Sequence, residues 1–340
     1  MRRHTMELWL IIWAITMILL YGFTANYSMH LIRNGYHIPS ISISFVRMSN
    51  PIIRDRFTAD PTAVVFQDTV YLFTGHDEAP AGREAYVMHD WLCYSSSDMV
   101  NWNYRGSIFN AKDFSWANGH AYASNIVRHN GKFYFYAAVS HGTVPGAAIG
   151  VAVSDNPSKG FMDAKGSALI TKNMLPPTEN EKANLDPSVL IDNDGASYIF
   201  WGNKTCYFSK LKSNMTELEG RIQIINLPKF EEGAHIHKRD GWYYLCYGYG
   251  MPEKVAYSMS RNINGPWEFK GILNEIPANC ETNRPCIVDF KDKSYFIYHN
   301  GALETGGSHR RSVCIDYLHY NQDGTIQKVI MTKDGVKEND

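Results

Sequence analysis

Three carboxylates stand at nearly the same distance ahead of a recurring tyrosine. Asp60 lies eleven residues before Tyr71, and Asp186 and Glu232 lie twelve before Tyr198 and Tyr244. Carboxylates gathered in one pocket cannot all behave alike. Burial and like charge push one toward its protonated form, while a better-hydrated neighbour stays ionised. Such a pair, about 6.5–9.5 Å apart, can cleave a glycosidic bond with inversion: the acid protonates the leaving oxygen and the base activates a water. Both aspartates precede proline, in Ala59-Asp60-Pro61 and Leu185-Asp186-Pro187. Proline favours an extended residue before it and fixes the chain direction, which suits a rigidly held acid or base. The same offset falls on Tyr122 and Asn283 in two further copies, with His120 and Arg284 beside them. The expectation is a ring of Asp, Tyr, Asp, Glu and Asn around one axis.

The marker tyrosines belong to a phrase that recurs five times: an apolar pair, a polar turn, then an aromatic strand. Its copies centre on Gln67-Asp68, Asn130-Gly131, Asp192–Gly195, Asp240-Gly241 and Lys291–Lys293. Asn-Gly and Asp-Gly between alternating apolar runs mark β-hairpins. A second hairpin is expected after each first one, the last turning at Asp323-Gly324. Two hairpins make a four-stranded blade, and markers 45 to 65 residues apart fit propeller repeats. The sequence therefore predicts an all-β chain: a five-bladed β-propeller with four antiparallel strands per blade, spanning residues 49–340.

Residues ahead of the propeller read differently. Arg2, Arg3 and His4 precede an apolar stretch from Leu8 to Phe23. This is short for a membrane span of about 20 residues and suits a signal peptide, with an uncleaved anchor as the alternative. Residues 1–25 are read as that segment and 26–48 as a linker, which implies an extracytoplasmic protein, secreted or periplasmic, whose one link to a membrane would be that anchor. The net charge is −1, without a concentrated basic face, which argues against nucleic acid as a partner. Six cysteines are present with no CxxC pair. Buried free thiols are expected, although Cys280 and Cys286 are close enough in sequence to bridge. His76, Asp77 and Glu78 have the composition of a metal cluster but directly follow a strand, where they are expected to shape a loop.

Asn50-Pro51-Ile52, Ala59-Asp60-Pro61, Asp186-Pro187-Ser188-Val189 and Glu232-Gly233 resemble the motifs of glycoside hydrolase family 43. Tyr71–Glu78, Tyr94–Trp102 and Arg311–Asp316 make the chain most similar to the family's arabinoxylan arabinofuranohydrolases and xylosidases. The resemblance implies Asp60 as general base, Glu232 as general acid with Glu231 as an adjacent rival, and Asp186 as the carboxylate that orients the acid. The repeat offset makes His120, Tyr122, Asn283 and Arg284 candidate sugar contacts, and the resemblance adds Arg310 or Arg311. No cofactor is implied for the chemistry, but a structural calcium in the channel is, at His299. The implied partner is plant cell-wall polysaccharide or oligosaccharide. His120-Ala121-Tyr122 and Asn283-Arg284-Pro285 depart from the Asp-Ala-Trp and Asn-His-Pro of many relatives, leaving arabinose against xylose open. An endo-arabinanase, or a sugar-binding propeller without catalysis, is the alternative.

Overall fold

The computed structural model describes residues 50–337 and, ahead of them, a short antiparallel pair, Ile32–Arg33 with Tyr36–His37. The chain divides into two units, Met1–Ser49 and Asn50–Asp340. The apolar stretch assigned to targeting lies outside the described residues, as does most of the expected linker.

Residues 50–337 form five antiparallel sheets, each made of strands consecutive in the chain. Blade one comprises Thr58–Phe66, Thr69–His76, Asp90–Ser96 and Asn103–Asn110. Blade two runs from Ala117–His129 to the two-residue Met162–Asp163, blade three from Ser188–Ile191 to Leu218–Ile225, and blade four from His235–Arg239 to Glu268–Asn274. Blade five has three strands: Cys286–Phe290, Lys293–Asn300 and Ser312–Leu318. The first turns of blades two and four have positive φ at both central residues, Asn130-Gly131 (47°, 81°) and Asp240-Gly241 (49°, 72°). That geometry follows the natural twist of a hairpin.

Five large apolar clusters lie one at each blade-to-blade junction. Phe73, Trp91, Phe133 and Phe135 join blades one and two. Val151, Ile199 and Trp201 join two and three, and Phe200, Phe208, Leu245 and Tyr247 join three and four. Tyr257, Phe296 and Tyr298 join four and five, and Leu72, Leu92, Ile297 and Val313 join five back to one. The last junction closes the ring and makes this a five-bladed propeller. All six cysteines are buried and unbridged; Cys280 and Cys286 do not pair.

The expected outer hairpin of blade five forms only an isolated bridge, Tyr320 with Ile326. Val329 N–H then donates to Leu273 O (2.8 Å), drawing this segment toward blade four. The outer edge of blade five is taken instead by the segment Asn50–Ile52. Ile52 N–H donates to Val313 O (2.9 Å), and the Asn50 side chain bonds both N–H and C=O of Ile315 (2.8 and 2.9 Å). Asn50 N–H also meets Lys333 O (3.1 Å), so the two ends of the propeller are stitched together here. Buried Asp316 is the knot. It accepts from Tyr298 Oη (2.8 Å), Asn50 Nδ2 (3.3 Å), Thr332 N–H (3.1 Å) and Thr332 Oγ1 (2.5 Å). Asp316→Ala strands these donors and is expected to cost about 3 kcal/mol; urea unfolding of the variant against the parent measures it.

The strand registers define two rings at one end of the channel. Thr62, Asn125, Ser188, His235 and Cys286 occupy equivalent positions, opposite Phe73, Tyr136, Phe200, Cys246 and Ile297. They form a belt of hydrogen bonds between blades. Asn125 Nδ2 donates to Thr62 Oγ1 (3.1 Å) and Asn125 Oδ1 accepts from Val189 N–H (2.9 Å). Ser188 Oγ accepts from Ile236 N–H (3.1 Å) and His235 Nε2 from Ile287 N–H (3.0 Å), and buried Cys286 completes the ring. Two residues earlier lies the second ring: Asp60, Ala123, Asp186, Gly233 and Arg284.

This placement corrects the marker count. The first turn of blade three carries one more residue than those of the other blades, because Leu190 faces Tyr198 whereas Val64 faces Tyr71 and His237 faces Tyr244. Gly233, not Glu232, therefore matches Asp60 and Asp186. Tyr122 and Asn283 share the Glu232 level instead.

Candidate active site

Asp60 and Asp186 are not extended, as their prolines led us to expect. Both are left-handed, with φ of 50° and 56°. Aspartate tolerates that region better than most residues, and the register slips between Ala59 and Thr62, so the strand bulges at Asp60. Gly233, in the third equivalent slot, has φ of 68°. Its N–H donates to Asp186 Oδ2 (2.8 Å) and so ties the backbone beside Glu232 to Asp186.

One cavity gathers Asp60, Asp186 and Glu232 with Tyr122, Asn283, Arg284, His299 and Arg311. Asp60 is buried, and burial alone would raise its pKa. The Arg311 guanidinium above all, with Arg284, outweighs that and holds the carboxyl below its ordinary value. Arg311 Nη1 donates to Asp60 Oδ1 (2.9 Å), while its Nε and Nη2 clasp Asp77 (2.9 and 3.0 Å). Asp60 Oδ2 is left without a protein partner among the described residues. Asp186 moves the other way: burial raises it, opposed by Arg284 and reinforced by the Asp60 charge. Glu232 is pushed up to about 7, first by burial and then by the charge of Asp186. Its Oε2 accepts from Asn203 Nδ2 (2.7 Å). The cavity thus holds one carboxyl biased to the ionised form and another that keeps a proton near neutrality.

The adjacent Glu231 pairs with Lys204 and does not line the cavity. Of these two adjacent glutamates, Glu232 is the one in the cavity. His120 is exposed and lies beside His89, outside the cavity lining. Arg310 also stays out: it lies over Phe57 (4.1 Å) and bonds Thr305 O and Ala79 O. Its neighbour Arg311, just ahead of the strand Ser312–Leu318, enters instead. Tyr122 lines the cavity with its hydroxyl on Ser140 Oγ (3.1 Å), and buried Asn283 uses Nδ2 on Asn274 Oδ1 (2.8 Å). His76, Glu78 and Asp90 cluster within 4.8 Å, but Asp77 turns away to Arg311.

A fourth carboxyl, Glu253, also lines the cavity, from the segment entering the third strand of blade four. It accepts from Asn283 N–H (2.8 Å) and packs on Gly248, where any β-carbon would lie 2.9 Å from its carboxyl carbon. Burial, then the Glu232 charge, raises it well above its ordinary value. No spacing signal marked Glu253, Tyr86, Asn203 or Lys182.

The model of glycosyl hydrolases family 43 matches residues 48–326. The chain belongs to this family. It is a glycosidase. Among family relatives, the arabinoxylan arabinofuranohydrolase of Bacillus subtilis (strain 168) is 28% identical over 90% of this chain and 69% of its own length. The enzyme of that name from Paenibacillus polymyxa is 28% identical over 85% of this chain and 53% of its own, so the chain spans about half of that relative. An α-L-arabinofuranosidase structure from Clostridium thermocellum superposes with a TM-score of 0.71 at 34% identity, covering 85% and 99% of the two chains. A GH43_1 enzyme from Xanthomonas citri complexed with xylose gives 0.73 at 25%, covering 82% and 92%.

In this family 43 chain His299 does not fit a calcium ion as a direct ligand. It is fully buried, and Asp60 N–H donates to its Nδ1 (3.2 Å). The proton is therefore on Nε2, which faces Thr282 O (3.0 Å). No lone pair remains for a metal. The ring acts instead as a strut that fixes the backbone of Asp60.

Proposed function

We propose that the chain is an inverting, exo-acting glycosidase that removes α-L-arabinofuranosyl or β-D-xylosyl units from plant cell-wall hemicellulose such as arabinoxylan. Glu232 protonates the leaving oxygen. Asp60, charged and with Oδ2 free, takes the proton of the attacking water. Asp186 holds the acid's backbone through Gly233 and keeps the proton on Glu232 by its charge. The contrast between Asp60 and Glu232 inside one cavity carries this reading. The relatives named above support the pentose. A single cavity lined by the ring of Asp60, Ala123, Asp186, Gly233 and Arg284 favours removal of a terminal unit over cleavage inside a chain. Such polymers lie outside cells, and the apolar stretch from Leu8 to Phe23 would export the protein as a cleaved signal or hold it as an anchor.

The test is hydrolysis of 4-nitrophenyl α-L-arabinofuranoside and β-D-xyloside, with the first-formed anomer followed by NMR. Inversion is expected on at least one of them. Retention would remove the mechanism, and no turnover of either pentoside or of arabinoxylan would favour a binding protein. The kcat/KM profile reports free-enzyme groups. Activity should fall as pH rises through about 7, where Glu232 loses its proton. On the acid side it should persist until Asp60 is protonated, below that group's ordinary value.

A further inference from the structure

Four carboxyl groups, Asp60, Asp186, Glu232 and Glu253, face one cavity. Two buried guanidiniums face them, and the two are held differently. Arg311 is engaged on all three nitrogens, by Asp77 and Asp60. Arg284 is 4% exposed, and its Nη2 donates to Pro187 O (3.0 Å). Its Nε and Nη1 have no hydrogen-bond partner among the described residues. The side chain starts in blade five but bonds blade three, two blades away, beside Asp186. In register it occupies the same slot as Asp60 and Asp186. Burying a cation there is costly unless opposite charges compensate it. No backbone contact other than Pro187 does so.

We propose that Arg284 is a positioning residue: a counter-cation set into the carboxylate ring itself, which holds Asp60 and Asp186 charged and thereby leaves the proton on Glu232. This rests on the acid and base assigned above. The groups facing the two aspartates are consistent with a selective effect. Asp60 also meets Arg311, His299 and Tyr86, and Asp186 meets Gly233 N–H, Glu232 and Glu253. The Arg284 charge acts on both aspartates. Glu232 takes its polar and cationic contacts elsewhere, from Asn203 and from exposed Lys182. Removing the guanidinium should therefore raise the pKa of both aspartates. A neutral Asp186 would then no longer keep the proton on Glu232, so the working pH range should narrow from both sides.

The experiment compares Arg284→Gln and Arg284→Lys with the parent. In Arg284→Gln the acid limb of kcat/KM on nitrophenyl pentosides should move up by about one pH unit or more, and the alkaline limb should move down. Arg284→Lys should return both limbs toward the parent. Unmoved limbs in folded Arg284→Gln, or limbs in Arg284→Lys that match it, would overturn the proposal. A second readout needs no turnover. Arg284→Gln should lower Tm by several degrees in the parent, but cost little or nothing in the Asp60→Asn/Asp186→Asn background, where the arginine has lost what it balances. Equal losses in both backgrounds would also overturn it. A parent that hydrolyses no pentoside would sink the proposed function, and the Tm comparison would still judge Arg284.

Discussion

Glu232→Gln is expected to lower kcat on arabinoxylan-derived oligosaccharides by about 100- to 10,000-fold, the span that general acid catalysis supplies. The amide keeps the volume and can still take the hydrogen bond from Asn203 Nδ2, so Tm should change little. The loss should depend on the leaving group. A sugar hydroxyl must be protonated as it departs, whereas a nitrophenolate departs without help. The variant should therefore lose far less on nitrophenyl pentosides than on oligosaccharides, and the alkaline limb near 7 should vanish. Equal losses on both substrates would assign Glu232 a role other than proton donor. Glu231→Gln is the internal control: it removes only the partner of Lys204.

Asp60→Asn should show the opposite signature. The water must be deprotonated whatever leaves, so turnover should drop by about 100-fold or more on every substrate. The substitution also takes one charge from Arg311, which keeps its bidentate hold on Asp77. Part of the loss could come from a moved arginine, and Asp77→Asn separates the two. That variant frees Arg311 but leaves the Asp60 carboxylate in place. If Asp60 is the base, Asp77→Asn should lose much less kcat than Asp60→Asn. Comparable losses would make the Arg311 cluster, rather than the Asp60 oxygen, the essential feature.

The fold was legible because its repeating unit is written in local chemistry. Each first hairpin carries its own turn residues and its own aromatic strand, so five copies could be read without knowing how they meet. Asp60 and Asp186 were legible for the same reason: both are Asp-Pro steps two residues ahead of a first strand's belt position. Glu232 was found by a count that was off by one, which the longer turn of blade three concealed. What stayed hidden depends on distant contacts. Asp77 and Arg311 are 234 residues apart in sequence, and neither the pairing nor the choice of Arg311 over Arg310 can be read from local pattern. Glu253 reaches the cavity only because Gly248 on the neighbouring strand leaves it room. The prolines misled about backbone conformation, since a bulge, not the pre-proline preference, decides how Asp60 is aimed.

The belt of Thr62, Asn125, Ser188, His235 and Cys286 uses five different residue types for one task. Every blade thus greets its neighbour in a private language. A chain with two blades exchanged would keep all its strands, yet would re-pair the apolar junctions and set a thiol where an amide is needed, or an imidazole where a small hydroxyl fits. Blades of this molecule are consequently not interchangeable parts, and the order of the modules is recorded in the belt between them as well as in the sequence.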